Sequence, residues 1–189
     1  YPNTYPQCGE AFDEMNKILR IAKWTFVLLF ASSIIAVIVL RFVPVVATPL
    51  MFIRCFQQIG DGESIKLHHS WVSLDDMPKS MPVAVTASED QNFLTHHGFD
   101  YGAIQRAARE NMEGGRSRGG STISQQTAKD VFLWPGRSWV RKGLETYFTF
   151  LIELFWSKQR IMEVYLNSIE MGDGIYGVEA VAEQHFNRS

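Results

Sequence analysis

The sequence predicts a mainly α-helical protein with one N-terminal transmembrane helix, and three observations carry that prediction. An uncharged, strongly apolar run fills Trp24–Leu40. From Pro82 onward, small and apolar residues recur at helical spacing, with side chains suited to helix N-caps between the runs. Strand-like alternation is almost absent, and no internal repeat is visible.

As a helix, Trp24–Leu40 spans about 25 Å, slightly short of the ~30 Å hydrocarbon core of a bilayer. Ile18, Leu19, Ile21 and Ala22 extend it on one side and Phe42 and Val43 on the other, while Lys23 and Arg41 can snorkel to the headgroups. A buried core helix is the first alternative, but the segment lacks the polar face of a soluble helix. A cleaved signal peptide is the second, but the run is longer than an h-region and no small-x-small site follows closely. Lys17, Arg20 and Lys23 precede the span against Arg41 and Arg54 after it, which by a narrow margin puts the N-terminus in the cytoplasm and the rest outside. The expected organisation is a cytoplasmic segment at 1–17, an anchor at 18–43, a connector and membrane-proximal region at 44–70, and a folded domain at 71–189.

The formal net charge of the 189 residues is -2, so global charge points to no partner and nothing suggests nucleic acid. Between Lys129 and Lys158, however, basic residues outnumber acidic ones, the pattern of a local anion site. Cys8 and Cys55 flank the apolar run and make no disulfide framework. The chain starts without Met and stops after a helical pattern, and is read as a fragment at both ends.

Pro44, Pro49 and Gly60-Asp61-Gly62 mark the connector, and Trp71–Leu74 reads as a strand or an irregular arm. One helix follows Pro82 to Glu89. A second is expected over Tyr101–Met112 with Ile104, Ala107, Ala108 and Met112 on one face. Gly114–Gly120 is a glycine-rich loop carrying Arg116 and Arg118. Thr122-x-x-Gln125 has capping-box form, Pro135-Gly136 breaks that helix, and Ser138 and Ser157 cap two more, Trp139 to about Trp156 and onward through Asn167. A last helix is expected after Gly174.

Four constellations carry chemistry. In Glu89-Asp90-x-x-Phe93-x-x-His96-x-Gly98-x-Asp100, two carboxylates close a helix. With apolar Val85 and Phe93 nearby, such a carboxylate suits a general base, although helix-end acids are more often solvated or capping. No second histidine at ligand spacing completes a metal site with His96, and His68, His69 and His97 are read as surface or packing residues. Gly119-Gly120-Ser121-Thr122-Ile123-Ser124-Gln125-Gln126-x-x-Lys129 runs a loop into a helix N-terminus that can hold a diphosphate or sugar oxygens; its ordinary reading is a capped helix, and it lacks Walker spacing. Arg137-Ser138-x-x-Arg141-Lys142-x-x-Glu145 is either an i,i+4 surface ion pair or a phosphate-binding cluster. The fourth, Lys158 to Asn167, is mainly a packing helix in which Glu163 and Asn167 brace the site.

In this order, the four blocks, together with Gly174-x-Tyr176-Gly177-Val178-x-Ala180 and His185-Phe186, resemble the peptidoglycan glycosyltransferase family, family 51, in the layout of its monofunctional biosynthetic transglycosylases. The resemblance covers about Trp71 to the end. Ser124 stands where the family often has Thr, and His185 where it more often has Tyr.

That resemblance implies a lysozyme-like helical lobe beside a smaller membrane-dipping lobe, C-terminally incomplete in this chain. It implies Glu89 as catalytic base and Glu145 as a second essential carboxylate. Lys129 and Arg137 would contact a diphosphate with Arg141 and Lys142 in support, and Ser121, Gln125 and Gln126 would line the groove, with Asn167 counted among the substrate-binding residues. The implied reaction polymerises lipid II into β-1,4-linked glycan strands with inversion and release of undecaprenyl diphosphate, at the periplasmic side of the bacterial inner membrane. Implied partners are lipid II, the growing lipid-linked strand, the bilayer and other cell-wall synthesis proteins; the resemblance fixes no cofactor, and a divalent cation such as Mg2+ or Mn2+ is compatible with the chemistry. A lytic glycosidase is the nearest rival, needing an acid in a helical groove but not the cation set. A catalytically silent wall-assembly scaffold is the rival of another class.

Overall fold

The structure, a computed structural model, describes residues 8–112 and 120–186, the side chains of 8–11 and 111 excepted. Its contacts divide the chain into two units at Val39/Leu40.

The first unit is nearly all of one helix, α1 (Cys8–Leu40). Within it Phe12–Leu40 is 29 residues long and apolar enough to cross a membrane, and it is exposed almost throughout. That exposure removes the buried-core alternative. The hydroxyls of Ser32 and Ser33 donate to the carbonyls of Leu29 and Phe30, so both serines are satisfied within the helix, as an apolar surrounding demands.

The second unit is mainly helical, as the sequence predicts. It contains α2 (Pro49–Gly60), β1 (His68–His69), α3 (Ser80–Glu89), α4 (Tyr101–Met112), α5 (Ile123–Phe132), α6 (Trp139–Phe155), α7 (Lys158–Ser168), β2 (Glu170–Gly172), β3 (Ile175–Tyr176) and α8 (Val178–Phe186). Helix α5 is the centre, packed on α6 and α7 with α2 also against it. Its residues Ile123, Ser124, Gln125, Thr127, Ala128, Asp130 and Val131 are buried, which leaves only a narrow face open. So much polarity is tolerated inside because nearly every group is bonded: Thr127 Oγ1 donates to Ile123 O at 2.8 Å and Ser124 Oγ donates to Glu153. Ile152, Ile161, Val164 and Leu166 from α6 and α7 supply the apolar core, and Phe132 stacks on Phe148 at 4.5 Å between centroids.

The expected helix starts are present. Thr122 and Gln125 form a full capping box, and Ser138 and Ser157 accept from the N–H groups of Arg141 and Arg160. Helix α4 has the expected bounds, but of its expected apolar face only Ala107 is buried and Met112 is 86% exposed.

Two expectations need correction. The 44–70 stretch contains α2, because Pro49 sits in the first turn, where its missing N–H costs nothing, and does not break the chain. Leu50 and Met51 then bury against Tyr176. A small sheet of order β1-β3-β2 also exists, with β1 parallel and β2 antiparallel to β3; its two- and three-residue strands are too short to alternate visibly. β3 therefore lies between Gly174 and the last helix. Gly174 (φ 70°) lies so close to Lys66 that a Cβ would sit 2.2 Å from its carbonyl oxygen. Of the two readings of Trp71–Leu74, the irregular arm is the one found, held by Asn167 and Glu163. The loop with Arg116 and Arg118 lies outside the described residues apart from Gly120, and so does the Cys8 side chain; Cys55 is a free, half-buried thiol.

Candidate active site

Helix α3 ends in two adjacent carboxylates with different fates. Asp90 is buried. Its Oδ2 accepts the first N–H of α5, from Ile123 at 3.0 Å, and both its oxygens lie 2.9 Å from His96 Nε2. Gly98 N–H donates to His96 Nδ1 at 3.1 Å, which assigns the ring proton to Nε2 and makes it the donor to Asp90. Thr122 Oγ1 donates to Gly98 O at 2.6 Å. Gly98 has φ 87°, and a Cβ there would lie 2.9 Å from Thr149, so both conformation and closeness demand glycine. Asp90, His96 and Gly98 thus latch the end of α3 to the start of α5.

Glu89 is left exposed at the mouth of a cavity of about 360 Å³, which Ser88, Arg106, Gly120, Ser121 and Gln126 also line. Gln126 Nε2 donates to Glu89 Oε2 at 3.2 Å. Asp100, which lines the same cavity, accepts from Ala103 N–H and Asn92 Nδ2, and these two donors hold its carboxyl below the usual carboxylate range.

Gln126 also lines a second cavity, of about 380 Å³, with Arg54, Lys129, Asp130, Trp134 and Glu170. Lys129 Nζ lies 3.2 Å from Asp130 Oδ1. Burial pushes the Asp130 carboxyl up to about 6, against the opposing pull of Lys129. Arg54 Nε and NH2 make a fork onto the two Glu170 oxygens at 3.0 and 3.1 Å, tying α2 to β2. Two cavities thus adjoin at Gln126 of α5, one holding a carboxylate, Glu89, and the other an ammonium, Lys129.

Of the residues selected from sequence, Glu89, Ser121, Gln126 and Lys129 come together here. The others do not, and each departure has a physical reason. Gln125 does not line the groove, because its side chain turns inward to accept the Thr122 N–H in the capping box. Arg141 and Glu145 are no surface pair: Glu145 is buried, Arg141 NH1 donates to its Oε2 at 3.0 Å, and Lys142 holds its other oxygen. With both oxygens engaged, Glu145 anchors two cations in this structure. Arg141 and Lys142 are accordingly committed to it. Arg137 is exposed just beyond the Pro135–Gly136 turn that rims the second cavity.

Asn167, counted among the substrate-binding residues, is fully buried. Its side chain exchanges two 2.9 Å hydrogen bonds with the backbone of Val72, so it braces the arm, while Glu163 accepts the Leu74 N–H at 3.1 Å. The sequence reading missed Arg54, Arg106, Asp130 and Glu170. Only Asp130 carried a signal, as an acid beside the selected Lys129 on a helix with a buried face. Among the described residues, no three His, Cys, Asp or Glu side chains are grouped to hold a metal ion.

Comparison with known proteins agrees with this architecture. The Transglycosylase family profile matches residues 57–189. A biosynthetic peptidoglycan transglycosylase of Bacteroides thetaiotaomicron is 60% identical over 173 residues, covering 92% of this chain and 70% of the relative. Proteins of the same description from Bdellovibrio bacteriovorus (51% identical; 89% of this chain, 69% of the relative) and Caulobacter vibrioides (54%; 87% and 69%) are similar over nearly the same extent. A match of this length and identity, laid over a helical domain with an acid-to-cation groove, means that the chain belongs to the transglycosylase family.

Proposed function

We propose that this chain is a peptidoglycan glycosyltransferase that polymerises lipid II into β-1,4-linked glycan strands, with Glu89 as the base and Lys129 as the cation facing the leaving group. The observation that carries the reading is the shared wall: Gln126 borders both the Glu89 cavity and the Lys129 cavity, so a proton acceptor and a cation lie in adjoining cavities on either side of one side chain.

Glu89 takes the proton of the sugar 4-hydroxyl, whose oxygen attacks the anomeric carbon of the lipid-linked strand from the face opposite the diphosphate. The new C–O bond forms as the bond to the diphosphate breaks, which inverts the centre, and the electron pair leaves with undecaprenyl diphosphate. Gln126 occupies one oxygen of Glu89, which fixes the carboxylate plane and leaves the other oxygen for the hydroxyl. Lys129 meets the charge that develops on the leaving group, with Arg137 at the rim.

The apolar helix α1 fits a substrate that stays in the bilayer, and the basic residues before it favour an inner-membrane protein with its catalytic domain on the periplasmic side. A lytic glycosidase would use Glu89 as an acid and would have no use for Lys129. Full-length protein in detergent micelles should convert lipid II to polymer, and Glu89→Gln should abolish this while the thermal transition stays in place. Shortening of pre-made glycan in place of polymerisation would reverse the assignment.

A further inference from the structure

Asp130 is a buried carboxyl that the transfer chemistry leaves unused. It is only 5% exposed, yet it lines the same cavity as Lys129, with the ammonium 3.2 Å away. Every element around it contributes a charged or titratable group. Glu170 faces it from β2 and Glu145 from α6, both opposing its ionisation; Tyr165 faces it from α7; and α2 brings Arg54, which is already engaged by Glu170. Burial is the largest influence and pushes the carboxyl up to about 6. Near neutral pH it is therefore an anion held in place chiefly by Lys129, the same cation the leaving group needs.

A diphosphate diester carries two fixed negative charges. Placed at Lys129, it competes with the Asp130 carboxylate for that ammonium and opposes its charge across a poorly solvated wall, where like charges interact far more strongly than in water. We propose that Asp130 is a proton-linked positioning residue of the diphosphate half of the groove: as the diester reaches Lys129, Asp130 takes up one proton from solvent and releases its hold, and it returns that proton when the diphosphate departs. The inference rests on the reading of Lys129 as the diphosphate cation. It makes substrate binding tighter at acid pH and release of the diphosphate product easier as pH rises.

The sign follows from linkage. Below about 6 Asp130 already carries its proton and binding is independent of pH; above that, binding must draw a proton, and affinity falls by up to about tenfold per pH unit. The probe is a farnesyl-chain version of the disaccharide diphosphate diester, which stays ionised throughout this range, titrated calorimetrically into the protein in micelles from about pH 5.5 to about pH 7.5. The expected result is a Kd that weakens by roughly three- to tenfold over the last pH unit, with proton uptake detected by comparing buffers of different ionisation enthalpy. Asp130→Asn should bind at least as tightly as the parent at the upper pH, with a flat profile and no proton uptake. A flat parent profile without proton uptake, or a parental slope in Asp130→Asn, overturns the proposal, and the proton count on the unaltered protein decides the matter even if that variant misfolds. Lys129→Ala separates the two readings: undiminished binding removes the diphosphate from this cavity and the inference with it, whereas lost binding beside an unchanged slope in Asp130→Asn removes only the role of Asp130.

Discussion

Gln126 Nε2 donates to Glu89 Oε2 at 3.2 Å, and the same side chain forms the boundary between the two cavities of the groove. A hydrogen bond of this kind is expected to orient the base without adding much to folding, because both groups reach solvent. Replacing Gln126 with Leu, similar in size but without the donor, should lower kcat by about tenfold, the equivalent of one ordinary hydrogen bond in the transition state. Steady-state polymerisation checks this. A change confined to KM would mean that Gln126 only binds sugar and does not orient Glu89.

Asp90 stands next to Glu89 but should fail differently when altered. Its carboxylate accepts from Ile123 N–H and His96 Nε2 in a buried setting, so Asp90→Ala strands two donors away from water. The expected loss is about 3–5 kcal/mol of stability. Denaturant unfolding in micelles should reveal it, with activity lost only in proportion to the unfolded fraction at assay temperature. A fully stable Asp90→Ala protein without activity would instead place Asp90 in the chemistry.

This division of labour between neighbouring acids also marks how far the residues could be read without coordinates. Helix starts were legible because a cap is a local arrangement: Thr122, Ser138 and Ser157 each bond an N–H three residues away. The same locality could have separated Gln125 from Gln126, since an N3 glutamine in a capping box must turn back toward the cap while its neighbour lies a further 100° or so around the helix. What sequence spacing could not supply was burial. Arg141 and Glu145 have the spacing of a surface pair and differ from one only because α6 turns that face inward. Arg54 and Glu170 meet across 116 positions, a pairing that exists only once α2 has packed beside the short sheet.

Glu145 is predicted to be structural in its energetics, because both its oxygens hold buried or partly buried cations. Glu145→Ala leaves the nearly buried Arg141 guanidinium without its carboxylate and should cost about 3–5 kcal/mol, far more than Glu89→Gln, whose side chain is exposed. Thermal unfolding of the two variants side by side tests the contrast. Equal stability would mean that the Arg141–Glu145 pair is not what fixes this part of α6.

Asp130 gives the clearest dependence of stability on pH. An acid whose folded-state value lies above its unfolded value binds more protons when folded, so stability falls as pH rises from about 4 through about 6 and then levels off at the lower value. Carrying Asp130 to about 6 from 3.8 corresponds to a penalty on the order of 3 kcal/mol once the group is ionised. Asp130→Asn keeps the shape and removes the charge, so it should raise the melting temperature at about pH 7.5 and leave it nearly unchanged at about pH 4, where the parent carboxyl is protonated in the fold. The loss of the Lys129 ion pair works against the gain, and because Lys129 is partly exposed that loss is the smaller effect. A melting temperature for Asp130→Asn that tracks the parent at both pH values would show that burial does not hold this carboxyl above its ordinary range.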